Sequence, residues 1–175
     1  MKIGIDISQL AYERTGVANY LRSLVEHLVE TDTENEYILF YSSLRRSLKS
    51  FDFAQGRNIT IKTFKFPPTL LNILWNKLHI MPIESLIGDV DVFITSDWTE
   101  PPARKAKKIT VLYDLIVYKH PEETAESIIA TQKKKLAWVK KESAKILCIS
   151  EATKKDAQEI LGIEESRLAV VYPGV

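Results

Sequence analysis

Residues 145–162 read KILCISEATKKDAQEILG, and their reading decides the fold class. Lys145 to Ile149 is a short apolar run of strand-forming residues. Ser150 follows directly, where a hydroxyl can cap the first free amides of a helix. That helix is predicted to run to about Leu161, after which Gly162 supplies the stop. A strand, a turn and a helix in so little sequence is the repeating unit of a parallel sheet with crossover helices. The unit recurs along the chain. Further strands are predicted at Lys2 to Ile7, Tyr37 to Tyr41, Ile59 to Phe64, Val90 to Thr95, Ile109 to Leu112 and Leu168 to Val171. Each is short and mostly rich in Ile and Val, as strands buried on both faces are. The expectation is an α/β fold: one doubly wound, mainly parallel sheet of about seven strands, with helices on both faces.

The intervening helices are uneven in clarity. Val17, Leu21, Leu24, Val25 and Leu28 share one face of a helix over Val17 to Glu30, with His27 beside that face. Glu122 to Ser143 reads as one long helix preceded by Pro121, with less regular apolar spacing. Pro67 to Gly88 carries more apolar residues than one helical face needs, among them Leu70, Ile73, Trp75, Leu78 and Ile80. Burial against the sheet accounts for such a segment. Contact with a lipid acceptor or a membrane surface is the alternative, helped by Lys133 to Lys135 and by Lys140 and Lys141.

Composition narrows the function classes. A length of 175 residues fits one domain, and 45% hydrophobic with 27% charged residues allows a sizeable core. The 24 basic and 23 acidic residues leave a net charge of +1, which disfavours nucleic acid as a partner. Met1 to Ser8 lead straight into a strand without the pattern of a secretion signal, and no apolar run approaches the ~20 residues that cross a bilayer. The expected location is cytoplasmic, with at most peripheral contact at the inner face of the membrane. Cys148, the single cysteine, lies in the apolar run Ile146 to Ile149 and reads as a buried structural thiol.

Candidate site residues follow from where strands end, because ligands of open α/β sheets bind at the carboxyl ends of the strands. The loop Ser8 to Thr15, with Arg14 near its end, runs through Gly16 into the first helix. Helix-start amides and a glycine admit a phosphate closely, although a glycine that merely begins a helix explains the loop equally. The loop is neither GxGxxG nor a Walker P-loop. Tyr113 and Asp114 lie where the Ile109 strand meets its loop, Asp97 two residues beyond the Val90 strand, and Ser150 with Glu151 after the Lys145 strand. Each alone is explained as a cap or turn residue, but together they favour a cleft. His27, His79 and His120 lack metal-ligand spacing, no acidic doublet suggests a divalent ion, and no GxSxG elbow is present. The expectation is therefore a site without a metal or cofactor.

In order and spacing, several segments resemble the amino-terminal lobe of GT-B glycosyltransferases of family 4. These are Met1 to Asp6 with Gly16-Val17-Ala18-Asn19-Tyr20, Leu74-Trp75, Asp91-Val92-Phe93, Thr110 to Asp114 with His120-Pro121-Glu122, Cys148-Ile149-Ser150-Glu151, and Val170-Val171-Tyr172-Pro173-Gly174-Val175. The resemblance covers essentially the whole chain. It implies a Rossmann-like lobe, residues 1–175, that ends at an interdomain hinge with the carboxy-terminal nucleotide-sugar lobe absent, and it implies an inactive fragment. It also implies a retaining, metal-independent transfer of sugar from a nucleotide-diphosphate donor to a glycan, polysaccharide or lipid-linked acceptor, by front-face displacement. In that scheme Gly16 approaches the donor phosphates, and Asp114 and Ser150 line the cleft. Many relatives have His-Asp where this chain has Tyr113-Asp114. A phenol with an unperturbed pKa of ~10 donates a hydrogen bond but makes a poor base at neutral pH. Two other readings stand beside this one: a noncatalytic doubly wound binding or regulatory module, and an actin-like sugar kinase suggested by Ile3-Gly4-Ile5-Asp6-Ile7. The kinase reading lacks the small residues that should follow, since Ser8-Gln9-Leu10 stands there.

Overall fold

All seven predicted strands form in the computed structural model, which describes residues 1–48, 58–95 and 98–174. They are β1 (Lys2–Asp6), β2 (Glu36–Ser42), β3 (Ile59–Phe64), β4 (Val92–Thr95), β5 (Lys107–Leu112), β6 (Ser143–Cys148) and β7 (Leu168–Val170). They build one sheet in the order β3-β2-β1-β4-β5-β6-β7, with every neighbouring pair parallel. The chain builds outward from β1 in one direction, returns, and builds outward from β4 in the other. The direction therefore switches between β1 and β4, and there the crossovers leave a crevice at the carboxyl ends of the strands.

The helices are α1 (Gly16–Thr31), α2 (Pro68–Leu71), which runs into a π-helical stretch over Asn72–Lys77, α3 (Glu84–Ile87), α4 (Ile116–Lys119), α5 (Glu126–Glu142) and α6 (Glu151–Leu161). Strand side chains alternate between the two faces. On one face Ile5, Ile7, Leu39, Ile94 and Val111 pack with Leu21 and Val25 of α1. On the other, Phe40 and Phe93 pack with Leu71, Trp75 and Ile87, while Leu112, Ile146 and Cys148 pack with Leu136 and Val139 of α5 and Ala157 and Leu161 of α6. Complete burial of one such aliphatic side chain stabilises by about 1.5–3 kcal/mol, so these alternating faces dominate the fold. Cys148 is buried, and burial pushes its thiol up to about 11, as an inert structural cysteine requires.

The caps form as the sequence predicts. The Ser150 hydroxyl accepts from the Thr153 amide at 3.1 Å, and Gly162 ends α6 in the left-handed conformation at φ 63°. Two expectations are corrected. The long helix read over Glu122 to Ser143 begins only at Glu126, because Pro121–Glu123 close a separate 3-10 turn and Thr124 and Ala125 are extended. The segment Pro67 to Gly88 is not one helix, since the Leu78 amide bonds the carbonyl five residues back, on Ile73, and His79 and Met81 then take positive φ. Its apolar excess divides: Leu71 and Trp75 are buried, whereas Leu70, Ile73, Leu78 and Ile80 are exposed. Among the described residues no helix is long and apolar enough to cross a membrane.

Gly4 has a packing reason. A Cβ built on it would lie 2.7 Å from the Phe93 ring and 2.9 Å from the Ile87 side chain, so its absence lets α3 approach β1. This places Gly4 in the core beneath α3. Gly4→Ala is expected to destabilise the chain by about 1–3 kcal/mol through overpacking, read as a lowered urea midpoint with unchanged m-value.

Candidate functional site

The carboxyl ends of β1 and β2 open into a cavity of about 880 Å³. That volume lies within the range of pockets that enclose small-molecule ligands. Asp6, the last residue of β1, sits on its wall with Ser8 and Gln9 from the following turn and Ser42 from the end of β2. Leu71 and Asn72 contribute from the opposite side, and Trp98 and Ile128 border both this cavity and a smaller one of about 170 Å³. The smaller cavity lies at the end of β5 and is lined by Tyr113, Asp114 and Lys135, among others.

Burial raises the pKa of Asp6 above the ordinary carboxylate value, against the opposing pull of the Ser8 hydrogen bonds and the nearby Lys135 ammonium. One of its oxygens accepts from the Ser8 amide at 2.9 Å. Asp6 was not among the residues picked from the sequence, although it meets the same strand-end criterion that selected Asp97 and Asp114. Trp98 and Lys135 had no such signal, because they reach the site from a connecting segment and from the middle of a helix.

The loop after β1 ends at Thr15, whose hydroxyl accepts from the Ala18 amide at 3.2 Å and caps α1. The first-turn amides of Gly16 and Val17 have no partner within the helix, as at any helix start. Thr15 and Val17 line the large cavity, and Gly16 lies between them with nothing within 4 Å of a Cβ placed on it. Among the described residues no contact demands a glycine there. Arg14, exposed beside it, holds a left-handed φ of 70°.

The other predicted residues divide. Tyr113 is only 8% exposed and packs edge-on against Tyr20, with ring centroids 5.5 Å apart. Asp114 is exposed and accepts from the Ile116 amide at 3.0 Å. Ser150 spends its side chain on capping, Glu151 is exposed in the first turn of α6, and Thr153 ties that turn to β5 by donating to the Tyr113 carbonyl at 3.0 Å. Asp97 lies outside the described residues. The structure therefore brings Tyr113, Asp114 and Ser150 to one edge, while the larger cavity belongs to the β1 and β2 ends. His120, Glu122 and Glu123 gather ligand atoms within 4.8 Å of one another, a grouping that their sequence spacing had not suggested, but all three are exposed.

Beneath the site a polar network fixes Trp98. Lys108 is 3% exposed and pairs with Glu100 at 3.1 Å and Glu142 at 2.7 Å, and Glu142 also meets His79 at 3.0 Å. Asn76 accepts from the Glu100 amide at 2.9 Å and donates to the Trp98 carbonyl at 2.8 Å. Trp138 stacks on His79 and donates to the Asn76 carbonyl at 3.0 Å. Burial works against ionised Glu142, but Lys108 and His79 outweigh it and hold its pKa below 4.5. An acid with a depressed folded-state pKa contributes stability that is present above its unfolded value and is lost as the pH falls through its folded one. Acid unfolding should therefore steepen below pH 4.5, and Glu142→Gln should flatten that dependence in denaturation curves taken across the range.

Gly16 supplies a second test. Ala at a helix start with open space and an ordinary φ should stabilise the fold by about 0.4–1 kcal/mol, a rise in Tm of roughly 1–4 °C by thermal denaturation.

The family model for glycosyltransferase family 4 matches residues 14–175. No curated protein matches the chain.

Proposed function

The chain belongs to glycosyltransferase family 4, and from that premise we propose that it forms the acceptor-side lobe of a retaining enzyme moving sugar from a nucleotide-diphosphate donor to an acceptor hydroxyl. The observation that carries this reading is the 880 Å³ cavity beside the open amino end of α1, at the switch point of the sheet. The acceptor, a glycan or a lipid-linked sugar, occupies the cavity, where Asp6 and Gln9 offer polar contacts to hydroxyls. The donor diphosphate lies over Gly16, where first-turn amides and the positive end of the helix oppose its charge. Preorganised dipoles of this kind stabilise charge as it develops on a departing diphosphate. Asp114, at the edge of the smaller cavity, supplies a carboxylate to the cleft, and Tyr113 supports that edge from the core.

In this reading the nucleotide is gripped mainly by a second lobe, metal is not required, and work takes place on the cytoplasmic side. The 175-residue chain alone should bind nucleoside-diphosphate sugars hardly at all and turn none over. Joined to a nucleotide-sugar lobe, it should yield a product that keeps the donor's anomeric configuration by NMR, with a rate unchanged by a chelator. Inverted product, or turnover abolished by the chelator, would overturn the mechanism. In the same assay Gly16→Ala should lower transfer at least tenfold although it stabilises the fold. Unchanged transfer would leave Gly16 as a helix-start residue only.

A further inference from the structure

The lining of the large cavity is chemically two-sided. Towards the strand ends it is polar, with Asp6, Gln9 and Ser42. At its mouth stand three apolar side chains that are more than a third exposed: Tyr12 at 41%, Leu44 at 53% and Ile128 at 36%. Apolar groups gathered at the rim of a pocket mark a surface that something apolar covers. Two cations share that rim. Arg46 is occupied, donating to the Ala11 carbonyl at 2.5 Å and lying 5.5 Å from the Tyr12 ring centroid. Arg45 is exposed and makes no hydrogen bond or ion pair among the described residues. A guanidinium presents a planar fork of donors that matches a phosphate bidentately. The only acid on the described lining, Asp6, is buried.

We infer that the acceptor is a phosphate-bearing amphiphile, its phosphate held by Arg45 and its hydrocarbon chain laid over Leu44, Tyr12 and Ile128. This rests on the acceptor reading of the cavity and adds the acceptor's chemical class. A neutral sugar would leave Arg45 without a partner and the apolar rim in water. A free phosphate would use Arg45 but not the rim.

The test is calorimetric titration of the 175-residue chain with three probes below their micellar limits: decyl phosphate, decyl maltoside and inorganic phosphate. Decyl phosphate should bind one to one and at least tenfold more tightly than either of the others, since one charge-assisted hydrogen bond is worth about a factor of ten. Arg45→Gln should remove that advantage over decyl maltoside, and Leu44→Ser should reduce it over inorganic phosphate. Both positions are exposed, and unchanged thermal unfolding would show that the variants fold. Equal binding of decyl maltoside, equal binding of inorganic phosphate, or an Arg45→Gln variant that binds decyl phosphate as before would each overturn the inference. Transfer to a neutral sugar by the two-lobed protein, with no decyl phosphate binding, would sink the inference and leave the proposed function standing. Decyl phosphate binding without transfer from any donor would do the reverse.

Discussion

The ion pair between Lys108 and Glu100 holds the middle of this molecule together. Glu100 is fully buried, and besides the ammonium at 3.1 Å it accepts from the Thr95 hydroxyl at 2.7 Å. Thr95 and Thr110 are register partners on β4 and β5, and the hydroxyls of Thr95, Thr110 and Ser143 form a chain across three strands. An uncompensated charge in such a place costs about 3–5 kcal/mol, so none of these elements can move without its neighbours. Through Asn76 the same network reaches Trp98, and Trp98 borders both cavities. The cleft is thus shaped from beneath by electrostatics, and its walls are only as firm as that pair.

Architecture was legible because it rests on repetition. Short Ile- and Val-rich runs recur at intervals that only crossover helices fill, and Ser150 and Gly162 mark the limits of α6 by local chemistry that tertiary contacts do not override. What the sequence could not disclose depends on partners far along the chain. Lys108 looks like an ordinary strand-edge lysine until Glu142, thirty-four residues away, closes on it at 2.7 Å. Gly4 looks like part of a phosphate loop until Phe93 and Ile87 occupy the space where its side chain would be. The cleft itself was legible in part. Strand ends pointed to the edge of the sheet where both cavities open, but Tyr113, Asp114, Ser150 and Glu151 lie at the β5 and β6 ends, whereas the larger volume opens at β1 and β2. Counting polar residues at strand ends finds an edge; finding the cavity needs the switch in strand order, which only topology supplies.

The site combines two environments, a polar wall at the strand ends and a half-apolar mouth. Burial raises the pKa of Asp6 on the polar wall. The rim, by contrast, is open, basic and apolar. Family membership accounts for the α/β architecture. Leu44, Arg45 and Arg46 of the rim come from the loop after β2, Tyr12 from the loop after β1 and Ile128 from α5, and loops are where members of one fold come to differ in what they bind.

The π-helical stretch makes chain length a constrained quantity. With carbonyls reached from five residues on, both Trp75 and Asn76 are buried, Trp75 against Phe40 and Asn76 against the Trp98 segment. Removing one residue would let the segment relax to an ordinary α-helix and swing Asn76 by about a quarter turn, out of reach of its partners. Side chains along the π-helical stretch can therefore be exchanged more readily than a residue can be inserted or deleted, and an indel within residues 73–77 would re-aim the wall of the cleft although none of those five residues lines the large cavity.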